Sequence, residues 1–349
     1  MEKISSAIKK PRIQYIDALR GFTMLLVVFA HIETFSFESG GMDTFLGTTF
    51  QLFRMPLFFF ISGFISYKVD GDWSLVRCWS LVRKKLRIQL LSTLVIGTLY
   101  VYACTNKTLA DFICAPSKFG YWFTIVLLEM FLIYYFVRVL CVKNKFLSNN
   151  HLVILLLISI LFLLAYRILP LDSTFAEIGS LKSLFKYFHF FVVGMFASRY
   201  VGKFFEILDN GYSMSLLLSM FIVCMYLMFR LNFVGGATFV IICVAGYCGL
   251  LIVFAFFRKY HSFFDSATRI GRVFQFIGKR TLDIYLLHYF LLPKGLKSLD
   301  CLLVEISNPL LEFCIVILLS VLVVSGCLLI SSLIRLSGVA AKYLLGSNS

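Results

Sequence analysis

Long apolar runs alternate with short polar clusters along the whole chain. The runs stay apolar over about 15–22 residues, long enough for helices that cross a ~30 Å hydrocarbon core. Strands are excluded because their side chains would alternate between apolar and polar. The pattern predicts an all-α integral membrane protein, a bundle of about ten transmembrane helices. The predicted helices cover residues 21–37, 49–67, 88–105, 121–140, 151–168, 184–201, 212–231, 236–257, 281–293 and 310–333.

Basic residues are concentrated on alternate connections of this predicted bundle. The two termini, Arg20 and one set of connections hold 24 of the 33 Lys and Arg residues. The connections in this set are 68–87, 138–150, 199–211 and 258–280. Cytoplasmic loops are enriched in Lys and Arg, so both termini, with short tails at 1–12 and 335–349, are expected in the cytoplasm. No repeat or linker divides the sequence, and residues 1–349 are expected to form a single transmembrane domain.

Composition agrees with a membrane protein and excludes several other classes. Hydrophobic residues make up 60% of the chain and charged residues 15%, against roughly 25% charged residues in soluble domains. The formal net charge of +15 is divided among loops, so the expected partner is the lipid bilayer and not a nucleic acid. The ten cysteines are scattered, without CxxC or zinc-like spacing. No metal site and no bound cofactor is therefore expected.

Segment 68–87 combines large apolar side chains with many cations. Trp73, Val76, Trp79 and Val82 recur every three residues. One interpretation is an amphipathic helix lying on the membrane, with tryptophans at headgroup depth. The other is that some of the cations bind a phosphorylated substrate. The cations are Arg77, Arg83, Lys84, Lys85 and Arg87.

The first predicted helix places ionisable groups on one face. Arg20 and His31 are eleven residues apart, which puts them within about 20° of one face and ~16 Å apart along the axis. Asp17 lies on nearly the same stripe. Charged groups inside a membrane helix cost several kcal/mol unless they are paired or face a polar cavity, so a cavity open to the cytosol would explain them. Alternatively, Arg20 is a topological anchor and His31 packs in the core.

Other helices add polar groups at membrane depth. In the second helix, Arg54 and Ser62-Gly63 flank a Pro56 kink, as is common where a membrane helix borders a cavity, although Arg54 could instead snorkel to the surface. Tyr121-Trp122-Phe123 is typical of an interfacial aromatic belt. Groups on five helices together suggest one polar interior. The residues expected to line it are Arg54, Ser62, Trp122, Tyr285 and His288.

Four ordered strings of residues resemble the membrane acyltransferase 3 family. Together they span roughly residues 12–333. The first string carries the family's Arg-x10-His motif. The strings are Tyr15-Ile-Asp17-Ala-Leu-Arg20-Gly21 running on to His31, Met55-Pro-Leu-Phe-Phe-Phe-Ile-Ser62-Gly63-Phe, Tyr121-Trp122-Phe123, and Ile284-Tyr285-Leu-Leu-His288.

The resemblance implies an enzyme of the bacterial inner (cytoplasmic) membrane. Such an enzyme would move an acyl group, commonly acetyl from acetyl-CoA as co-substrate, onto a hydroxyl of a cell-surface polysaccharide or its lipid-linked precursor. By matching positions, His31 would be the catalytic base and Arg20 its motif partner. The family's basic pair after the second helix, which would bind the donor, falls within Arg83, Lys84 and Arg87.

The sequence departs from part of the family pattern. Members with a fused hydrolase-like domain often carry a carboxylate just before the Phe-Phe-x-Ile-Ser-Gly string, where this chain has Met55-Pro56. An acid that orients His31 would then come from elsewhere. The candidates are Glu129, Asp43 and Glu33.

Acyl transfer to a hydroxyl needs a base, and histidine has a suitable pKa near neutrality. Histidine could instead accept the acyl group itself, and the sequence leaves both routes open. A transporter or flippase for a lipid-linked saccharide would also need a cation-lined path, but the sequence lacks the internal repeat and paired broken helices common in transporters. A non-catalytic assembly or sensor protein is a third class. The intact Arg20 and His31 argue against it.

Overall fold

A computed structural model describes residues 13–37, 45–68, 73–230, 236–296, 306 and 308–346, and within these ranges the chain is helical with no strand. The helices are α1 Gln14–Ser36, α2 Phe45–Ser66, α3 Leu75–Thr105, α4 Leu109–Cys114, α5 Trp122–Cys141, α6 Lys145–Ile168, α7 Thr174–Ile178, α8 Leu181–Arg199, α9 Val201–Asp209, α10 Gly211–Arg230, α11 Gly236–Lys259, α12 Arg269–Lys279, α13 Thr281–Leu291, α14 Pro309–Ile334 and α15 Gly338–Leu344.

Each of the ten predicted stretches coincides with a helix. Among the described residues, eight helices are long and apolar enough to cross a membrane, which makes the chain a multi-pass membrane protein. The other two predicted spans are α8, which carries Lys182, Lys186 and His189, and α13, which has 11 residues. Ten crossings and cytoplasmic termini stay predictions.

The third helix differs from the prediction. The basic segment that was expected to lie on the membrane surface continues directly into the predicted span, and together they form the 31-residue helix α3. Its Leu86–Leu91 stretch is π-helical. The apolar residues that recur every three positions do not share one environment: Trp73 is buried against Tyr134 and Tyr135, whereas Trp79 is exposed. Trp73 precedes the helix, and within it Leu75, Val76 and Trp79 remain an exposed apolar face, so a position at the membrane surface stays a prediction for this part of α3.

Glycines allow α1 and α2 to approach their neighbours closely. A Cβ at Gly21 of α1 would collide with the carbonyl of Phe274 in α12, and one at Gly278 would collide with the carbonyl of Asp17. Gly63 of α2 meets the backbone of α8 in the same way. Close contact between small residues is a main source of helix association in membranes, so these crossings fix the two helices that carry the predicted site.

Buried aromatic and aliphatic side chains form two large clusters on either side of the molecule's centre. One joins α2, α5, α8 and α11 through residues such as Phe59, Phe191 and Phe254. The other joins α1, α3, α13 and α14 through residues such as Ile32 and Leu286. The polar residues of the predicted site lie between the two clusters.

Candidate functional site

A cavity of about 320 Å³ lies between α1, α2, α3, α5 and α13. Its α1 residues are Arg20, Met24, Val27 and His31. Their spacing of four, three and four residues defines one face of a helix. The structure thus places Arg20 and His31 on the wall of one cavity, as their shared helix face predicts. Of the other residues that were expected to line a cavity, the structure places four on its wall: Arg54, Ser62, Trp122 and Tyr285.

His31 is hydrogen-bonded to two residues of α13. Its Nδ1 lies 2.9 Å from Nε2 of His288, and its Nε2 lies 3.2 Å from the hydroxyl of Tyr289. His288 is fully buried behind His31 and is not among the side chains that line the cavity. Its role in the structure is therefore to hold His31.

The hydrogen-bond network assigns the tautomers of both histidines. Nδ1 of His288 lies 3.0 Å from the carbonyl oxygen of Ile284, so this nitrogen carries the proton and donates it. Nε2 of a neutral His288 then accepts a hydrogen bond from Nδ1 of His31. Nε2 of His31 is consequently unprotonated and accepts from Tyr289. The available basic nitrogen of His31 is Nε2.

The two candidate acids that the structure describes, Glu33 and Glu129, do not orient His31. Within the described part of the chain, the hydrogen bonds of His31 go to His288 and Tyr289 and not to a carboxylate. Glu33 is buried near Arg54, and Glu129 lies near Lys118. Asp43 lies outside the described residues. A second histidine occupies the position that the family resemblance suggested for an acid.

Two cations lie at the opposite end of the cavity from His31. Arg20 donates to Oγ1 of Thr281 at 2.9 Å and lies 4.0 Å from the carboxylate of Asp17. Lys85 of α3 also lines the cavity, with its Nζ 3.4 Å above the ring of Phe131. This end can bind an anionic group through charge.

The basic residues that were predicted to bind the donor do not line the cavity. Arg83 and Lys84 are exposed, and Arg87 is half-buried outside the cavity wall. Lys85 and Gln89 of the same helix face the cavity instead. Their spacing of four residues puts them on one face of the helix.

Arg54 of α2 is buried and also lines the cavity. Its guanidinium is close enough to His31 to influence it electrostatically, and Tyr187, Tyr289 and Glu33 are its own charged or polar neighbours. Its Nη1 atom has no hydrogen-bond partner among the described residues. The side chain is directed into the protein, so the snorkelling interpretation of Arg54 is wrong.

The loop before α5 is fastened to α13. Lys118 and Phe119 have left-handed backbone angles (φ 48° and 50°), followed by Gly120 at φ 97°. The Tyr285 hydroxyl donates to the Gly120 carbonyl at 2.8 Å. The Lys118 ammonium donates to two backbone carbonyls, and its burial lowers the pKa of Lys118. Tyr121 is completely buried, so it does not belong to an interfacial belt.

Other polar groups of the interior serve packing. Asp283 accepts two hydrogen bonds from Arg335, at 2.9 and 3.0 Å, and one from Ser331. His189 lies 2.6 Å from the hydroxyl of Tyr247. The described residues contain no group of His, Cys, Asp and Glu side chains that could hold a metal ion.

Comparison with known proteins gives one match. The family model of acyltransferase 3, described as an acyltransferase domain, matches residues 13–331. The match includes every helix that contributes to the cavity. No curated protein and no solved structure gives a significant match.

Proposed function

Because the chain belongs to the acyltransferase 3 family, we propose that this membrane acyltransferase moves acetyl from acetyl-CoA to a hydroxyl of a cell-surface polysaccharide or its lipid-linked precursor. The observation that carries the proposal is the placement of His31. An imidazole with a basic Nε2 lies on the wall of a cavity that also presents cations. Acyl transfer needs both a base and an anion-binding region for CoA.

His31 acts as the general base in this proposal. Its Nε2 takes the proton from the acceptor hydroxyl while the hydroxyl oxygen attacks the thioester carbon. The hydrogen bond from Nδ1 to His288 keeps the proton on the other nitrogen, as the orienting partner of a catalytic histidine does. Collapse of the tetrahedral intermediate breaks the C–S bond, and the imidazolium returns the proton to the CoA thiolate.

Arg20 and Lys85 receive the phosphate groups of CoA at the other end of the cavity. Both are cations on the cavity wall, and phosphates bind most strongly to such charge-assisted donors. The enrichment of Lys and Arg on this side supports a position at the cytoplasmic face of a bacterial inner membrane, where CoA is found. The acceptor then reaches His31 from the opposite side. The exposed Arg83 and Lys84 and the half-buried Arg87 remain candidates for contact with donor groups outside the cavity.

A direct assay of the purified protein in detergent tests this function. We expect radiolabelled acetyl-CoA to be hydrolysed, or its acetyl group transferred to an added glycolipid extract, by the wild-type protein and not by His31→Ala. His261 is exposed and lies outside the cavity, so His261→Ala is the matched control and should retain wild-type turnover. Equal activity of His31→Ala and wild type would remove His31 from the mechanism. Absence of activity in the wild type would contradict the function itself.

A further inference from the structure

Arg54 is a buried arginine on the wall of the cavity. It is 9% exposed, and its Nη1 has no hydrogen-bond partner among the described residues. Arg138 is also buried and has an unpartnered Nε, but it is hydrogen-bonded to His151 and does not line the cavity. A buried cation with an unsatisfied N–H group is costly, so its retention beside a cavity indicates a task that is performed when a ligand is present.

The cavity is the place where this task is performed. Arg54, Phe58, Ile61 and Ile65 all line it and follow one face of α2 at intervals of three or four residues. Ser66, twelve residues after Arg54, also lines the cavity. Arg54 is an electrostatic neighbour of His31, so it lies at the end of the cavity where the base is, away from Arg20 and Lys85.

A cation beside the base can act in one step of acyl transfer, the formation of the tetrahedral intermediate. When the acceptor oxygen bonds to the thioester carbon, the carbonyl π electrons move to the carbonyl oxygen and leave it negatively charged. A preorganised donor that contacts this oxygen stabilises the transition state more than the neutral ground state. Arg54 has an unused N–H donor and a permanent positive charge for this purpose.

We infer that Arg54 is a catalytic residue that binds the carbonyl oxygen of the acyl donor and stabilises the oxyanion formed on it. The inference rests on the proposed acyl transfer and extends it. His31 takes the hydroxyl proton, and Arg54 receives the negative charge that appears at the same time. When the intermediate collapses, the oxyanion's electron pair re-forms the carbonyl and the C–S bonding pair leaves on sulfur. The thiolate takes the proton from His31, and Nη1 of Arg54 is again without a hydrogen-bond partner.

The test compares Arg54→Met with Arg54→Lys in the acetyl-CoA assay. Methionine keeps much of the side-chain volume without charge, and we expect it to lower kcat about 10²–10³-fold, as loss of an oxyanion-hole donor does. The KM for acetyl-CoA should change less than about threefold, because the neutral ground state depends little on the contact. Lysine restores the charge but not the planar geometry and should recover part of kcat.

Two further measurements separate catalysis from structure and from ground-state binding. Arg54→Met should unfold at the same or a higher temperature than wild type, whereas Arg335→Met, which breaks the pair with Asp283, should unfold at a lower one. A ketone analogue of acetyl-CoA, with CH2 in place of the thioester sulfur, should bind Arg54→Met and wild type equally.

Several outcomes would overturn the inference. Wild-type kcat in Arg54→Met would do so. A loss confined to KM would show that Arg54 binds a permanent anion on a substrate instead, and a fall in unfolding temperature would show that it is a structural residue. Inactive wild-type protein would remove the proposed function and this inference together, whereas an inactive His31→Ala beside a fully active Arg54→Met would remove the inference alone.

Discussion

Two polar regions of the interior use the same residue types in opposite ways. Around Asp283, where α13 meets α14, the carboxylate is held by Arg335 and Ser331, and Arg280 lies 3.5 Å away. Around His31, the donors and acceptors are neutral side chains, and Nη1 of Arg54 has no described hydrogen-bond partner. The first region stabilises the packing of two helices. The second presents an unsatisfied N–H group of Arg54 to a cavity, where a substrate can accept a hydrogen bond from it.

Among the substitutions proposed for the two regions, the largest effect is expected from a change of His31 in the second region, and it is an effect on turnover. Glutamine at position 31 keeps a similar volume and an amide near Nε2 but cannot act as a base, so His31→Gln should lose roughly 10²–10⁴-fold in kcat. Its unfolding free energy should stay within about 1.5 kcal/mol of wild type, since one hydrogen bond to His288 is lost. Kinetics and thermal denaturation of the purified variant measure both quantities. An active His31→Gln enzyme would show that another group is the base.

Breaking the first region should change stability without changing chemistry. Asp283→Asn leaves the half-buried Arg335 without its anion, and loss of one partner of such a charge-assisted pair costs about 1–3 kcal/mol. We therefore expect a clear fall in the unfolding temperature, with kcat per folded molecule close to that of wild type. Chemical denaturation and an active-site titration check the two parts. Loss of kcat at unchanged stability would move Asp283 into the catalytic site.

The two cations Lys84 and Lys85 offer a matched pair on neighbouring positions of α3. Lys85 lines the cavity and Lys84 is exposed. Lys85→Ala should weaken donor binding by about 1.5–3 kcal/mol, the contribution of one charge-assisted contact, and Lys84→Ala should weaken it less. The KM for acetyl-CoA measures the difference.

Arg83→Ala and Arg87→Ala extend this comparison to cations that the family resemblance predicts to bind the donor. If either variant raises the donor KM as much as Lys85→Ala does, then phosphate groups of the donor are bound outside the cavity wall. Wild-type donor kinetics in both variants would instead support lipid anchoring by these residues.

The smallest effect is expected at a histidine outside the cavity. His189 of α8 lies beside the Tyr247 hydroxyl, and asparagine can replace its Nδ1 in that hydrogen bond. His189→Asn should therefore keep wild-type kcat and lose no more than about 1 kcal/mol of unfolding free energy. A loss of activity comparable to that of His31→Gln would mean that α8 contributes to the reaction.

The helices and one face of the site follow from the sequence, but the contacts between helices do not. The bounds of the apolar runs agree with the bounds of the helices within a few residues, except at the starts of α1, α3 and α6. These three helices begin earlier, because polar residues before the apolar run are also helical. The shared face of Arg20 and His31 needs only helical periodicity. The pairing of His31 with His288 joins residues 257 positions apart and depends on how α1 packs against α13, which periodicity within one helix does not specify.

The packing of α3 accounts for the other difference. The sequence groups Arg83, Lys84, Lys85 and Arg87 as equivalent cations, and a regular helix would leave their orientations undetermined. The packing of α3 against its neighbours places Lys85 and Gln89, four residues apart on one face, on the cavity wall. Tyr289, next to His288 in the sequence, could have been noticed only once His288 was known to contact His31.

The π-helical stretch Leu86–Leu91 also bears on how the chain tolerates insertions and deletions. A π-helical turn contains more residues than an α-helical one. Deletion of one residue there would convert the π-helical turn to an α-helical one and leave the two flanking parts of α3 in their present relative orientation. Lys85 would then stay on the cavity wall. The same deletion in an α-helical part of α3 would instead rotate one flank by about 100° relative to the other.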